Sequence, residues 1–371
     1  MQFRDLKKQY SVLKQDIDAA MMEVAASSAF IMGQPVKELE AGLAEYVGVK
    51  HCISCGNGTD ALTLALKVWN IGAGDAVFVP DFTFFSSAEV ISLEGATPVF
   101  GDTFNMDASD LERKIARTIE EGRLTPKVII TVDLFGLPAN YPAIRKIADA
   151  HRLFILEDGA QGFGGMIGNK RACSFGDIST TSFFPAKPLG CYGDGGAVFT
   201  DNDEWAALAD SYRVHGKGMF KYDNVRIGMN SRLDTLQAAI LKIKFKAFRE
   251  YELRDINKAA ALYTRLLAGR VKTPVTPEGY YSSWAQYTIC LNSREERDAL
   301  QACLKEQGIP SMVYYPTPMH GQTAYKALNA PTDCCPTAKR LCDTVLSLPV
   351  HPYITEEEIE MVCSVILGFV R

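Results

Sequence analysis

Between His51 and Thr200 the chain alternates short apolar runs with longer mixed stretches, and this rhythm limits the fold more than any other feature. The runs are H-C-I-S at His51, A-V-F-V-P at Ala76, T-P-V-F at Thr97, K-V-I-I-T-V at Lys127, L-F-I-L at Leu153 and G-A-V-F-T at Gly196. Runs this short and continuous read as strands covered on both faces. Strands alternating with helical stretches predict an α/β fold with a mostly parallel sheet and helices on both sides. Open sheets of this kind bind ligands outside the carboxyl ends of their strands. Residues that close each apolar run are therefore where chemistry is expected.

The flanks differ from this centre. Val12 to Ala25 reads as a helix draped over the main domain. From Met229 to about Leu267 one or two long helices are expected, rich in Ala, Leu, Lys and Arg. After them, W-A-Q-Y-T-I-C-L, a polar helix from Arg294 to Gln307, P-S-M-V-Y-Y and a closing helix from Glu356 to Phe369 suit a small α+β unit. A chain of 371 residues fits two domains sharing one site, divided here as 1–245 and 246–371.

Composition narrows the function. Net charge is −5 with no basic run, which argues against nucleic acid. No apolar stretch approaches a membrane span, and the N-terminus lacks a signal-peptide core, so a cytoplasmic protein is expected. Ten cysteines include Cys52-x-x-Cys55 and the adjacent Cys334 and Cys335. No second C-x-x-C stands at metal spacing, so the thiols are read as reduced core residues and no metal site is expected.

The chemistry concentrates in T-S-F-F-P-A-K-P-L-G-C-Y-G-D-G-G, from Thr181 to Gly196. Lys187 follows Phe183, Phe184, Pro185 and Ala186. An ammonium in an apolar pocket loses its proton readily, and the neutral amine is a nucleophile that forms Schiff bases. In E-D-G-A-Q, from Glu157 to Gln161, Asp158 puts a carboxylate at the end of the Leu153 run. A lysine Schiff base and an acid facing a pyridinium nitrogen are the two groups that define pyridoxal phosphate chemistry. C-G-N-G-T-D-A-L, from Cys55, opens a helix with glycines, which suits a phosphate. Gly58 and Thr59 are the expected phosphate ligands, with Ser182 reaching in from the lysine strand. The three features in this order are far stronger than any one alone.

These stretches, with P-D-F-T-F at Pro80, L-F-G-L-P-A at Leu134, G-M-N-S-R-L-D-T-L-Q-A-A-I-L at Gly228, Y-Y-P-T-P at Tyr314 and S-L-P-V-H-P at Ser347, resemble the DegT/StrS-type sugar aminotransferases. The resemblance runs from about the tenth residue to the last helix. It implies a fold type I aminotransferase: a large domain with a mainly parallel seven-stranded sheet, a smaller C-terminal domain, and a homodimer with shared sites. It implies pyridoxal 5'-phosphate as cofactor, L-glutamate as amino donor and a nucleotide-linked keto sugar as acceptor. The members it most resembles aminate UDP-2-acetamido-2-deoxy-3-oxoglucuronate for O-antigen assembly; other members act on dTDP-linked 3- or 4-keto-6-deoxyhexoses. A non-catalytic regulator on this fold would be expected to lose Asp158 or Lys187.

The resemblance also assigns roles. Lys187 carries the cofactor and then moves the proton, and Asp158 meets the pyridine nitrogen. Gln161 lies near the ring's phenolic oxygen, Phe84 stacks on the ring, and Asn230 reaches the phosphate from the other subunit. Arg232, Tyr314, Tyr315 and His320 face the substrate. Blander readings stand beside these. Asp158 could cap a helix starting at Gly159, Asn230 could cap one before S-R-L-D, and Arg232 could pair with Asp234. One departure is visible: the loop that reads His-Tyr-Pro in those members reads Tyr314-Tyr315-Pro316 here.

Overall fold

The computed structural model describes residues 1–220, 222–329 and 334–370. Two helices come first, α1 (Leu6–Ser27) and α2 (Gln34–Val47). Then β1 (His51–Cys55), α3 (Gly58–Val68), β2 (Asp75–Pro80), α4 (Phe85–Leu93), β3 (Thr97–Gly101), α5 (Ala108–Glu121), β4 (Thr125–Val132), α6 (Tyr141–His151) and β5 (Phe154–Asp158) alternate. Two short strands, β6 (Met166–Ile167) and β7 (Lys170–Arg171), precede β8 (Ile178–Ser182), β9 (Gly196–Thr200) and α7 (Asp203–Tyr212).

The main sheet has seven strands in the order β1-β9-β8-β5-β4-β2-β3. The pairs β3/β2, β2/β4, β4/β5 and β5/β8 are parallel. Strand β9 runs against both neighbours, so β1 points the same way as the rest. This topology brings Cys55, Pro80, Val132, Asp158 and Ser182 to one edge, together with Gly196 at the start of β9. The apolar runs do pack on both faces: Val77, Val79, Val128 and Ile130 join one core, while Ala76, Phe78, Ile129 and Ile155 join another. The alternation in sequence is thus the signature of a sheet with water on neither side.

After the sheet come α8 (Thr235–Ala247) and α9 (Leu253–Leu267), joined without a break through a wide helical turn at Phe248–Glu252. Strands β10 (Tyr280–Tyr281), β11 (Tyr287–Cys290) and β12 (Val345–Leu348) and helices α10 (Arg294–Glu306), α11 (Pro336–Thr344) and α12 (Glu356–Phe369) complete the chain. Residues from Ile256 to Ile366 bury a core of their own, including Tyr263, Tyr287, Leu300 and Val362. Helix α12 opens with a capping box, Thr355 and Glu358. The first helix is longer than the sequence reading, because Asp5 accepts from the Lys8 N–H at 2.8 Å and starts it at Leu6. Its buried face packs on α8. Among the described residues no helix is long and apolar enough to cross a membrane.

Candidate active site

Lys187 lies past the end of β8, in a turn where its N–H donates to the Phe184 carbonyl at 2.9 Å. The other side of the residue is pinned from far away. The guanidinium of Arg4 donates to the Lys187 carbonyl at 2.9 Å. Lys187 is half-buried, and desolvation lowers its amine from the usual lysine range. Asp158 works against that shift and Arg4 adds to it. The apolar neighbours singled out in the sequence are only part of the cause: Phe183 is fully buried, whereas Phe184 is 52% exposed. Burial of the amine comes from the fold around it.

Asp158, the last residue of β5, is buried and faces this lysine closely enough for each to shift the other. Burial raises its carboxyl, while Ser87, the Ala160 N–H and Lys187 oppose the rise. Oxygen Oδ2 accepts from the Ser87 hydroxyl at 2.7 Å and Oδ1 from the Ala160 N–H at 3.2 Å. Both oxygens are therefore oriented by short-range donors. The segment after Asp158 is a set of turns and not a helix, so the capping alternative fails. Ser87 is in turn held by Thr83, hydroxyl to hydroxyl at 3.0 Å.

The phosphate turn is built as a helix start. Asn57 caps α3 through its side-chain oxygen, which takes the Asp60 N–H at 2.8 Å. The N–H groups of Gly58 and Thr59 precede it and have no partner within the helix. A larger residue at Gly58 would force a shift: a Cβ there would stand 2.7 Å from Ser182 Cβ. Gly196 is equally constrained, since a Cβ would stand 2.4 Å from the Asn57 carbonyl oxygen. The turn, Ser182 and the start of β9 thus form one tight concavity at a positive helix end. The Thr59 hydroxyl meets that of Ser86 at 2.8 Å, which joins this cradle to the helix carrying Ser87.

Gln161 is buried and held at both ends of its amide. Its oxygen accepts from the Phe135 N–H at 2.6 Å, and its amide donates to the Tyr315 hydroxyl at 3.0 Å. Tyr315 lies between two rings, with centroids 6.1 Å from Phe82 and 6.2 Å from Phe84. Phe84 itself is 52% exposed at the mouth of the site. Tyr314 stacks edgewise on Phe3, at 6.2 Å, so the N-terminal segment reaches the substrate loop as well as the lysine turn.

Three of the expected residues, Asn230, Arg232 and His320, bond to partners other than Lys187 and Asp158. Asn230 is exposed and accepts from Arg232 at 2.6 Å; neither caps a helix nor pairs with Asp234, which is itself the cap of α8. Their segment is nevertheless tied to the phosphate turn, because Ser231 accepts from the Gly56 N–H at 2.9 Å and donates to Asp60 at 2.6 Å. His320 is drawn away from open space: its Nδ1 is 2.7 Å from buried Asp81. Sequence reasoning missed Ser87 and Arg4. Ser87 had a signal, as a small polar residue in the apolar P-D-F-T-F-F-S-S stretch; Arg4 had none.

A desolvated amine facing a doubly anchored carboxylate, beside a glycine-lined helix start, fits pyridoxal phosphate in each of its three functional parts. The sequence profile of the DegT/DnrJ/EryC1/StrS aminotransferase family matches residues 11–367. The chain belongs to this family. It is a pyridoxal phosphate-dependent aminotransferase, and solved relatives of the fold include pyridoxal phosphate and pyridoxamine phosphate forms. This aminotransferase is 41% identical over 370 residues to the UDP-2-acetamido-2-deoxy-3-oxo-D-glucuronate aminotransferase of Pseudomonas aeruginosa, covering 98% of this chain and 99% of that one. It is 42% identical over 375 residues to a pleiotropic regulatory protein of Geobacillus stearothermophilus, covering 99% and 98%. A crystal structure of a family aminotransferase from Brucella abortus superimposes with a TM-score of 0.97 at 48% identity, covering 100% of this chain and 99% of that chain.

Proposed function

We propose that this aminotransferase moves the amino group of L-glutamate to a UDP-linked 3-oxo sugar carrying a 2-acetamido group, in the cytoplasm, as a step of surface-polysaccharide assembly. The observation that carries the reading is the Asp158–Lys187 pair, an oriented acid and a desolvated base on one sheet edge. The choice of sugar is supported by the likeness to the Pseudomonas enzyme. Retention of both groups favours an enzyme over a regulator, although one relative carries a regulator's name.

When bound, pyridoxal phosphate supplies an aldehyde that captures amines and a ring that stores the electrons of a broken C–H bond. The chain's own residues do the rest. Asp158 holds the proton at the pyridine nitrogen, through a charge-assisted hydrogen bond roughly twice as strong as a neutral one. Ser87 and the Ala160 N–H keep its carboxylate from turning. Lys187 Nζ would serve as the base that takes a proton from the reacting carbon and the acid that returns one. Gly58, Thr59 and Ser182 bind the phosphate, and Gln161 orients Tyr315. Phe84 closes the ring face against water.

Asn230 and Arg232 complete the site in this reading only when a second copy presents them. Support for a homodimer is the apolar surface beside them: Met219 is 90% exposed, Phe220 72% and Ile227 89%. Such a strip is costly on a monomer. Arg232 is suited to fork onto a carboxylate of glutamate or of a uronate. The division of the chain into a cofactor domain through residue 245 and a smaller domain from 246 belongs to the same reading, supported by the separate core of the latter.

A second reading is favoured by one observation, Tyr314 in place of histidine in the substrate loop. Under it the acceptor is a dTDP-linked 3- or 4-keto-6-deoxyhexose. A glutamate half-reaction followed by a panel of UDP- and dTDP-linked keto sugars separates the two. Amination of the UDP-3-oxo sugar alone supports the first; turnover restricted to dTDP sugars overturns it.

A further inference from the structure

We propose that His320, Cys334 and Cys335 form a zinc site that staples the substrate loop to the edge of the main sheet. The three side chains each offer one ligand atom, and these atoms all lie within 4.8 Å of one another. A tetrahedral ion with bonds of about 2.0–2.3 Å needs ligand separations of roughly 3.4–3.8 Å, so only small side-chain rotations are required. Two thiolates and an imidazole are a borderline-soft set, which suits zinc and excludes magnesium or calcium. Three protein ligands leave the fourth position for water.

The arrangement around the imidazole is what sets this cluster apart from chance proximity. Zinc-bound histidine commonly gives its second ring N–H to a carboxylate. Here Nδ1 of His320 is 2.7 Å from Asp81 Oδ2, Asp81 is fully buried, and the His320 side chain is 7% exposed. The His320 N–H also donates to Asp81 Oδ1 at 2.8 Å. Asp81 therefore holds the ring through Nδ1 and the backbone through the His320 N–H, and leaves Nε2 as the ligand. On the thiol side, Cys335 is buried at the N-cap of α11. The amine of Lys114 lies 3.6 Å from Cys335 Sγ and 3.2 Å from the Cys334 carbonyl oxygen.

The consequence is mechanical. His320 follows Tyr315 closely in sequence, in the loop that Gln161 grips from the other end. An ion bridging His320 to the start of α11 would close that loop at both ends. Cysteine spacing alone could not reveal this site, because its third ligand is a histidine and not a cysteine.

The test titrates zinc chloride into the chelator-treated holoenzyme. We expect about one tightly held zinc per chain by elemental analysis. Zinc should shield two thiols from alkylation, which mass spectrometry should assign to Cys334 and Cys335. Cys334→Ser should lower bound zinc by about tenfold or more, whereas Cys303→Ser, on α10, should leave it unchanged. Less than a tenth of a zinc per chain, or shielding of other cysteines, overturns the proposal. So does a disulfide between Cys334 and Cys335 in the protein as isolated under reducing conditions. The shielding measurement uses the unmodified chain and decides the matter even if the serine variant does not fold.

Discussion

The Ser87 hydroxyl donates to Asp158 Oδ2 at 2.7 Å across 71 positions of sequence, and it is the contact that aims the acid. A carboxylate at a strand end can rotate freely; this one cannot. Removing a hydrogen bond to a charged group costs about 1.5–3 kcal/mol. Ser87→Ala should therefore lower kcat by roughly 10- to 100-fold while glutamate KM changes little. Stopped-flow measurement of the glutamate half-reaction checks this, and an unchanged rate would show that Asp158 needs no such support.

Arg4 reaches the catalytic turn from the start of the chain, 183 positions away. Its charge helps to lower the Lys187 amine, so Arg4→Met should raise the pH at which that amine loses its proton. The sign follows from the charge: with one cation fewer nearby, the protonated form becomes easier to keep. The acid limb of cofactor uptake by the apoenzyme should move to higher pH. A limb that stays in place would restrict Arg4 to its hydrogen bond with the Lys187 carbonyl.

Gly58→Ala should weaken cofactor retention without unfolding the chain. The added methyl would stand 2.7 Å from Ser182 Cβ and 3.3 Å from Ser182 Cα, so either α3 or β8 must shift. Overpacking of this kind costs about 1–3 kcal/mol, or roughly 5- to 150-fold in phosphate-anchored affinity. Equilibrium dialysis against pyridoxal phosphate measures it. Full retention would place the phosphate elsewhere.

A buried acid pair sets a pH dependence of stability. Asp133 is held well above the usual carboxylate range, by burial first and then by Glu157 beside it. One Asp133 oxygen accepts from Tyr141 at 2.7 Å and the Ala139 N–H at 3.0 Å; the other has no donor and suits a proton shared with Glu157. A raised acid stabilises the fold below its unfolded pKa, and that contribution is lost as pH rises through the folded value. Asp133→Asn keeps a donor at that oxygen without titrating. Its urea midpoint should exceed that of the parent at pH 8.5 by more than at pH 5, and an equal difference at both would contradict the shared proton.

What could be seen in the sequence was what is local. Lys187, Asp158 and the Gly58 turn each close a strand, and the alternation of strands and helices placed all three on one edge. The helix that the capping alternative required after Asp158 is absent because Gly159, Gly162, Gly164 and Gly165 follow it, and the chain turns through them. Partners brought by the fold were silent: Arg4 on Lys187, Ser87 on Asp158 and Asp81 on His320 join residues far apart in sequence, with no periodicity to announce them. Phe184 misled in the other direction, since a residue next to Lys187 in sequence turned outward to solvent.

The central claim is that Asp158 and Lys187 serve opposite sides of one bound ring. Borohydride reduction of the holoenzyme followed by peptide mass spectrometry should find the cofactor fixed on Lys187 alone. In Asp158→Asn the same attachment should persist while glutamate turnover falls by at least about 100-fold, the loss expected when a fixed counter-charge is removed. Cofactor fixed on another lysine, or wild-type turnover in Asp158→Asn, would contradict the account.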